Sequence, residues 1–119
     1  MGDDELDEVE AGLGRKFTAA YRRFIRTYSL SEGAHCGVYL YAHPKDLLRA
    51  NRLMERRPDE HMVRERDGAG GWLAARPWPS DWLVIGDGDT EWYAFLRPDD
   101  GGVWEWQHDT LEVRASPGR

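Results

Sequence analysis

The second half of the chain constrains the fold most. From residue 82 onward, short runs rich in Trp, Tyr, Phe and β-branched residues alternate with clusters of Asp, Gly and Pro. Residues 82–85, Trp-Leu-Val-Ile, form an unbroken apolar run of strand length and suit a central strand. Residues 92–96, 103–107 and 110–114 supply three further candidate strands. Asp87-Gly88-Asp89 and the stretch 97–102, which holds Pro98, Gly101 and Gly102, carry turn chemistry between them. Parallel neighbours need a crossover of a dozen or more residues, and these links are far shorter. The segment is therefore predicted to fold as an antiparallel meander.

The first half has a different period. Leu6, Val9 and Leu13 recur at helical spacing in 3–13, and Gly14 stands where a helix C-cap belongs. Asp and Glu crowd the first turn, at the positive end of the helix dipole. Thr18 suits the N-cap of a second helix, in which Tyr21, Phe24, Ile25 and Tyr28 make one apolar stripe opposite Arg22, Arg23 and Arg26. A short strand is expected at 37–41. A third helix should start near Pro44 and stop before Pro58, with Leu47, Leu48, Asn51 and Met54 facing inward. Residues 58–77 are polar and hold Gly68, Gly70 and Gly71, so a flexible loop is expected there. Helices first and strands later specify an α+β fold rather than alternating βαβ units. The expectation is one domain, 1–119, with N-terminal helices packed on a mainly antiparallel sheet formed largely by the C-terminal half, and a disordered tail at 115–119.

Composition narrows the function. A chain of 119 residues, 40% hydrophobic, holds enough apolar material for one modest core. Its formal net charge of -6 argues against nucleic acid or a membrane surface as a partner, because both need clustered Lys and Arg. No apolar run approaches the ~20 residues of a spanning helix. Residues 1–10 are acidic where a signal peptide would be basic and then apolar. A single cysteine, Cys36, makes no internal disulfide, which agrees with a reducing compartment, so a cytoplasmic location is expected. The charge is unevenly placed: 14–57 holds ten basic and three acidic side chains, and 81–112 holds nine acidic and one basic. Either the two halves neutralise each other, or the β half presents an acidic face to a basic partner.

The motifs favour binding over chemistry. Asp87, Asp89 and Glu91 alternate like the start of a calcium loop, but Trp92 and Pro98 stand where that loop needs Gly and Glu. His35, Cys36 and His43 fit no zinc spacing. Ser80 has no nucleophile elbow around it, and Cys36 has no orienting group for His35. The glycines at 68–71 lack the Lys-Ser/Thr of a phosphate loop. No metal or cofactor is expected. One catalytic alternative stays open, a small hydrolase using Glu105, His108 and Asp109, with two carboxylates as in glycoside hydrolysis.

The residues 78–87, Trp-Pro-Ser-Asp-Trp-Leu-Val-Ile-Gly-Asp, resemble the core strand of the SUKH superfamily. The aromatic Trp92-Tyr93-Ala94 and the run 102–109, Gly-Val-Trp-Glu-Trp-Gln-His-Asp, follow in the family's order. Glu10, Leu13-Gly14, Phe17, Tyr21 and Phe24-Ile25 are similar to its N-terminal pattern, and Asn51-Arg52 to a pair found in some members. The resemblance covers nearly the whole chain. It departs at Thr18, where many members have proline, and at Ser31-Glu32-Gly33, where Asn-Gly is common. Members often continue into a final helix, whereas this chain stops soon after Val113, which bears on how one sheet face is covered. The family includes Smi/Knr-type cell-wall regulators and bacterial toxin-immunity proteins. The resemblance implies a non-catalytic module that binds a cognate toxin, for example a basic nuclease domain. The alternative is a regulatory scaffold of the same fold.

A rigid sheet with aromatic anchors and opposite charge is what such binding requires. Asp87, Asp89, Glu91, Glu105 and Asp109 are the acids expected to meet the partner, with Trp92 and Trp72 as aromatic contacts. Trp82, Leu83, Val84, Ile85 and Phe95 are expected in the core. Trp104 and Trp106 lie two apart on one strand and so share a face.

Overall fold

A computed structural model describes residues 2–27, 34–35, 38–41, 43–88, 92–98 and 103–115. Three helices precede most of the sheet: α1 (Asp3–Leu13), α2 (Ala19–Thr27) and α3 (Pro44–Arg56). The strands are β1 (Ala34–His35), β2 (Val38–Leu40), β3 (Leu83–Gly88), β4 (Trp92–Leu96), β5 (Val103–Gln107) and β6 (Val113–Ala115). They pair in sequence order, all antiparallel, in one six-stranded sheet. The expected α+β architecture is the one observed. Tyr28, Cys36, residues 99–102 of the expected turn 97–102 and residues 116–119 of the expected tail 115–119 lie outside the described residues, while Ala115 closes β6.

Local chemistry explains the helix ends. Glu5 accepts the Gly2 N–H at 2.9 Å, and Gly14 ends α1 with φ 72°, a left-handed conformation that glycine adopts without cost. The Thr18 hydroxyl accepts the Tyr21 N–H at 3.1 Å and caps α2. Glu10, buried near the end of α1, accepts the Phe17 N–H at 2.6 Å and pairs with Arg22 at 3.1 Å, fixing the link between the two helices. Arg22 and Arg26 also reach Asp3, and Arg22 reaches Asp7. Arg22 and Arg26 of the basic stripe of α2 are thus paired with acids of α1.

The sheet has a core on each face. On one, Leu83, Ile85, Ala94 and Leu96 meet Leu6, Val9, Tyr21, Ile25 and Leu47 from the helices. The Tyr21 hydroxyl donates to the backbone oxygens of Asp81 and Leu96, at 2.7 and 3.0 Å, and pins α2 to the sheet. On the other face, Val84, Phe95, Trp106 and Val113 meet Val63, Trp78, Trp82 and Met54. Trp82 stacks on Phe95 at 4.5 Å, and Trp78 sets its edge against Trp82, Phe95 and Trp106. Burying one such indole removes about 150–250 Å² from water, or roughly 4–6 kcal/mol of transfer free energy.

The second core depends on the segment between α3 and β3. The stretch 58–77, expected as a flexible connector, bridges Val63 to Arg76, Arg66 to Trp72 and Arg64 to Glu112. Val63 is fully buried, and the Met62 oxygen accepts the Trp106 indole N–H at 2.9 Å. This segment and the 78–82 stretch cover the second face of the sheet.

The edge of β3 is closed in two ways. Short β2 pairs with 86–88, and the Tyr41 N–H reaches the Ile85 oxygen at 2.8 Å. One residue further, α3 takes over. Asn51, 1% exposed, donates to the Val84 oxygen at 2.8 Å and accepts the Val84 N–H at 2.8 Å. Its amide also donates to the Leu47 oxygen at 2.9 Å. Asn51 therefore acts as a one-residue strand partner, satisfying backbone groups that burial would otherwise leave unpaired.

Candidate functional site

A bulge decides where Asp87 points. Leu83 pairs with Leu96 and Val84 with Phe95, but Gly86 pairs with Ala94 and Asp87 with Tyr93. The register slips by one residue between Val84 and Gly86, and Ile85 is the extra residue. In a regular strand, Leu83, Ile85 and Asp87 would share the helix-facing side. The slip moves Asp87 to the opposite face, beside Tyr93. Pairing with β2 also carries β3 on to Gly88, so Asp87 and Gly88 are strand residues rather than the turn expected from their chemistry. An isolated glycine within a strand pattern signals such a bulge, and Gly86 is that signal.

Asp87 is exposed and accepts the Tyr41 hydroxyl at 2.8 Å. Burial, then the hydrogen bond to Asp87, hold the Tyr41 hydroxyl protonated well above the ordinary tyrosine range. Burial and Asp87 also raise Tyr93. Beside them lies a groove of about 290 Å³, lined by Tyr41, Leu53, Met54, Asp87 and Tyr93, with Leu53 46% exposed. The sequence reading singled out none of Tyr41, Leu53 and Tyr93 as contacts.

The remaining candidates divide. β3 ends and β4 begins at the sheet end where the β5–β6 turn lies. Asp89 and Glu91 lie outside the described residues. Asp109 is exposed in the β5–β6 turn, 3.3 Å from the His108 ring nitrogen. This turn shortens the fourth expected strand. The Leu111 N–H donates to the Gln107 oxygen at 2.8 Å and Leu111 takes φ 68°, so regular pairing resumes only at Val113.

Glu105 is different. It is fully buried, and Arg114 binds its Oε1 through Nε and Nη2 at 3.0 and 2.9 Å. The Arg114 guanidinium lies 3.8 Å from the ring centre of half-buried Trp92. Glu105 is thus enclosed by its own protein rather than exposed as an acid. Trp72 is half-buried, with Arg66 and Arg64 at 4.2 and 5.4 Å from its ring. Trp106 is core, and Trp104 is half-buried on the same face.

The hydrolase constellation does not assemble. Glu105 and Trp106 are strand neighbours and face opposite ways. The His108 ring packs against Trp106 at 5.8 Å, away from the Glu105 carboxylate. Among the described residues, no group of three His, Cys, Asp or Glu side chains is placed to hold a metal ion. No helix among the described residues is long and apolar enough to cross a membrane.

The family model described as SMI1 / KNR4 family (SUKH-1) matches residues 2–116. The chain belongs to this family. The chain matches no curated protein and no solved structure. Members of the SUKH family are commonly immunity proteins or regulators, act through other proteins and are generally non-catalytic.

Proposed function

We propose that this SUKH-domain protein is a bacterial immunity protein that binds and neutralises a cognate toxin in the cytoplasm. The bulge at Ile85 carries the reading. It turns Asp87 outward beside the Tyr41–Leu53–Tyr93 groove, at the sheet end that also holds Asp109. Exposed carboxylates next to an aromatic and aliphatic groove suit a basic protein surface. A nuclease domain, whose cleft must hold phosphate, is the target class with that charge. Asp87, Asp89, Glu91 and Asp109 would meet its cations, and Tyr93 and Leu53 would supply the apolar anchor.

Co-expression with a candidate toxin domain from a neighbouring gene tests the reading. The expected result is rescued growth and a complex that survives gel filtration. Replacing Asp87, Asp89, Glu91 and Asp109 by Asn or Gln should weaken binding about tenfold or more and flatten its salt dependence. Unchanged affinity and salt slope would remove the acidic surface from the account. A toxin that is neither bound nor blocked would refute the immunity role and leave that of a regulator.

A further inference from the structure

The outer edge of β6 is only partly covered. The Gln107 N–H donates to the Glu112 oxygen at 2.9 Å, so Glu112 and Arg114 turn their backbone groups toward β5. Leu111, Val113 and Ala115 turn theirs outward. Arg64 takes the first two, donating to the Leu111 oxygen at 2.8 Å and accepting the Val113 N–H at 3.0 Å. The chain then leaves β6, because Arg66 bridges back to Trp72 and the Leu73 N–H donates to the Glu65 oxygen. Among the described residues, no strand lies beside Ala115 on this side.

Where the two segments part, a groove of about 640 Å³ opens along β6. Trp72, Trp92 and Trp104 line it together with Arg66, Arg97 and Arg114. Each guanidinium lies on an indole: Arg66 is 4.2 Å from Trp72, Arg97 is 4.7 Å from Trp104, and Arg114 is 3.8 Å from Trp92. Such stacking holds the cations in fixed positions. Trp92 packs with the helix-side core and Trp104 with the opposite one, so the groove flanks both sides of the edge. A strand laid there would send alternate side chains to each.

The groove's lining carries three arginines against two acids, Glu65 and Glu112, on a protein of net charge -6. Glu65 is shared by Arg76 and Arg97, at 2.6 and 3.0 Å, and Glu105 is taken by Arg114. Arg64 and Arg66 make no ion pair among the described residues. We propose that this edge binds an extended, acidic segment of a partner protein, added as a further strand along β6. The Val113 oxygen and the outward N–H and oxygen of Ala115 bind its main chain, Arg64 and Arg66 bind its carboxylates, and the tryptophans take its apolar side chains. This surface is opposite in charge to the Asp87 end and does not depend on the toxin reading.

A synthetic ten-residue peptide of alternating Glu and Val, titrated into the ¹⁵N-labelled protein, tests this. The amide of Ala115 and the indole N–H groups of Trp72 and Trp104 should shift, whereas the matching Lys–Val peptide should leave them in place. Arg64→Glu combined with Arg66→Glu, both changes away from the two cores, should weaken the acidic peptide about tenfold or more. Methylating alternate peptide nitrogens should abolish binding, because a strand without its N–H groups cannot pair. Absent shifts, equal response to the Lys–Val peptide, or binding that survives either change would overturn the proposal. So would concentration-dependent self-association of the free protein through β6, which would assign the edge to a second copy of the chain.

Discussion

Replacing Asn51 by leucine isolates the bridge between α3 and β3. The two side chains are close in volume, so packing changes little. The Asn51 amide makes three hydrogen bonds, two of them to the N–H and oxygen of the fully buried Val84. Leucine leaves both Val84 groups without that partner in a site closed to water. Each such orphan costs about 1–3 kcal/mol, and the gain from burying an apolar side chain offsets roughly 1–2 kcal/mol. The net expectation is a loss of about 2–4 kcal/mol, a large share of the roughly 5–15 kcal/mol that stabilises a domain. In urea, with a slope of about 2 kcal/mol/M, the midpoint should fall by about 1–2 M while the slope stays the same. Tryptophan fluorescence reads the transition, and hydrogen exchange should show Val84 losing protection ahead of Leu83. A loss below about 0.5 kcal/mol would mean that Val84 finds other partners and that Asn51 is not the strand substitute described here.

Other perturbations follow from the same geometry. Arg114→Met should cost about 2–3 kcal/mol at neutral pH, because it strips buried Glu105 of its cation. Adding Glu105→Met should recover most of that loss in chemical denaturation, and no recovery would contradict the pairing. Tyr41 is raised in the folded state, so folded and unfolded chains are both protonated below about pH 10 and only the unfolded chain ionises first above it. Stability should therefore fall as pH rises past about 10, and Tyr41→Phe should flatten that fall in denaturation midpoints measured from about pH 9 to 11. A Gly14→Ala protein should lose about 1 kcal/mol through the left-handed backbone alone, since its new Cβ meets nothing within 4 Å. Gly14→Asn should lose measurably less in the same urea assay.

Local signals made the elements legible. The 3.6-residue spacing of Leu6, Val9 and Leu13, the Gly14 and Thr18 caps and the Pro44 start fixed helices that the structure places within a residue or so. The apolar runs at 92–96 and 103–107 became β4 and β5 with the expected bounds. The order of helices and short-linked strands specified the α+β class and the meander, because each depends on neighbours in sequence. The candidate site was legible only in part. Asp87 and Asp109 are exposed as an acidic surface requires, whereas Glu105 belongs to a buried pair with Arg114. The difference lies in long-range contacts that no local period encodes. Glu105 is buried because β6 brings Arg114 alongside it. Asp87 faces outward because a one-residue slip against β4 reverses every side chain beyond it. The second sheet face is closed because Val63, Trp78 and Trp82 return across it from a segment that reads as loop. By itself the sequence determined the helices and the two strands β4 and β5, whereas the bounds of β3 and β6 depended on pairing. The tertiary structure alone decided which face each side chain occupies, because register and face are settled by pairing between distant segments.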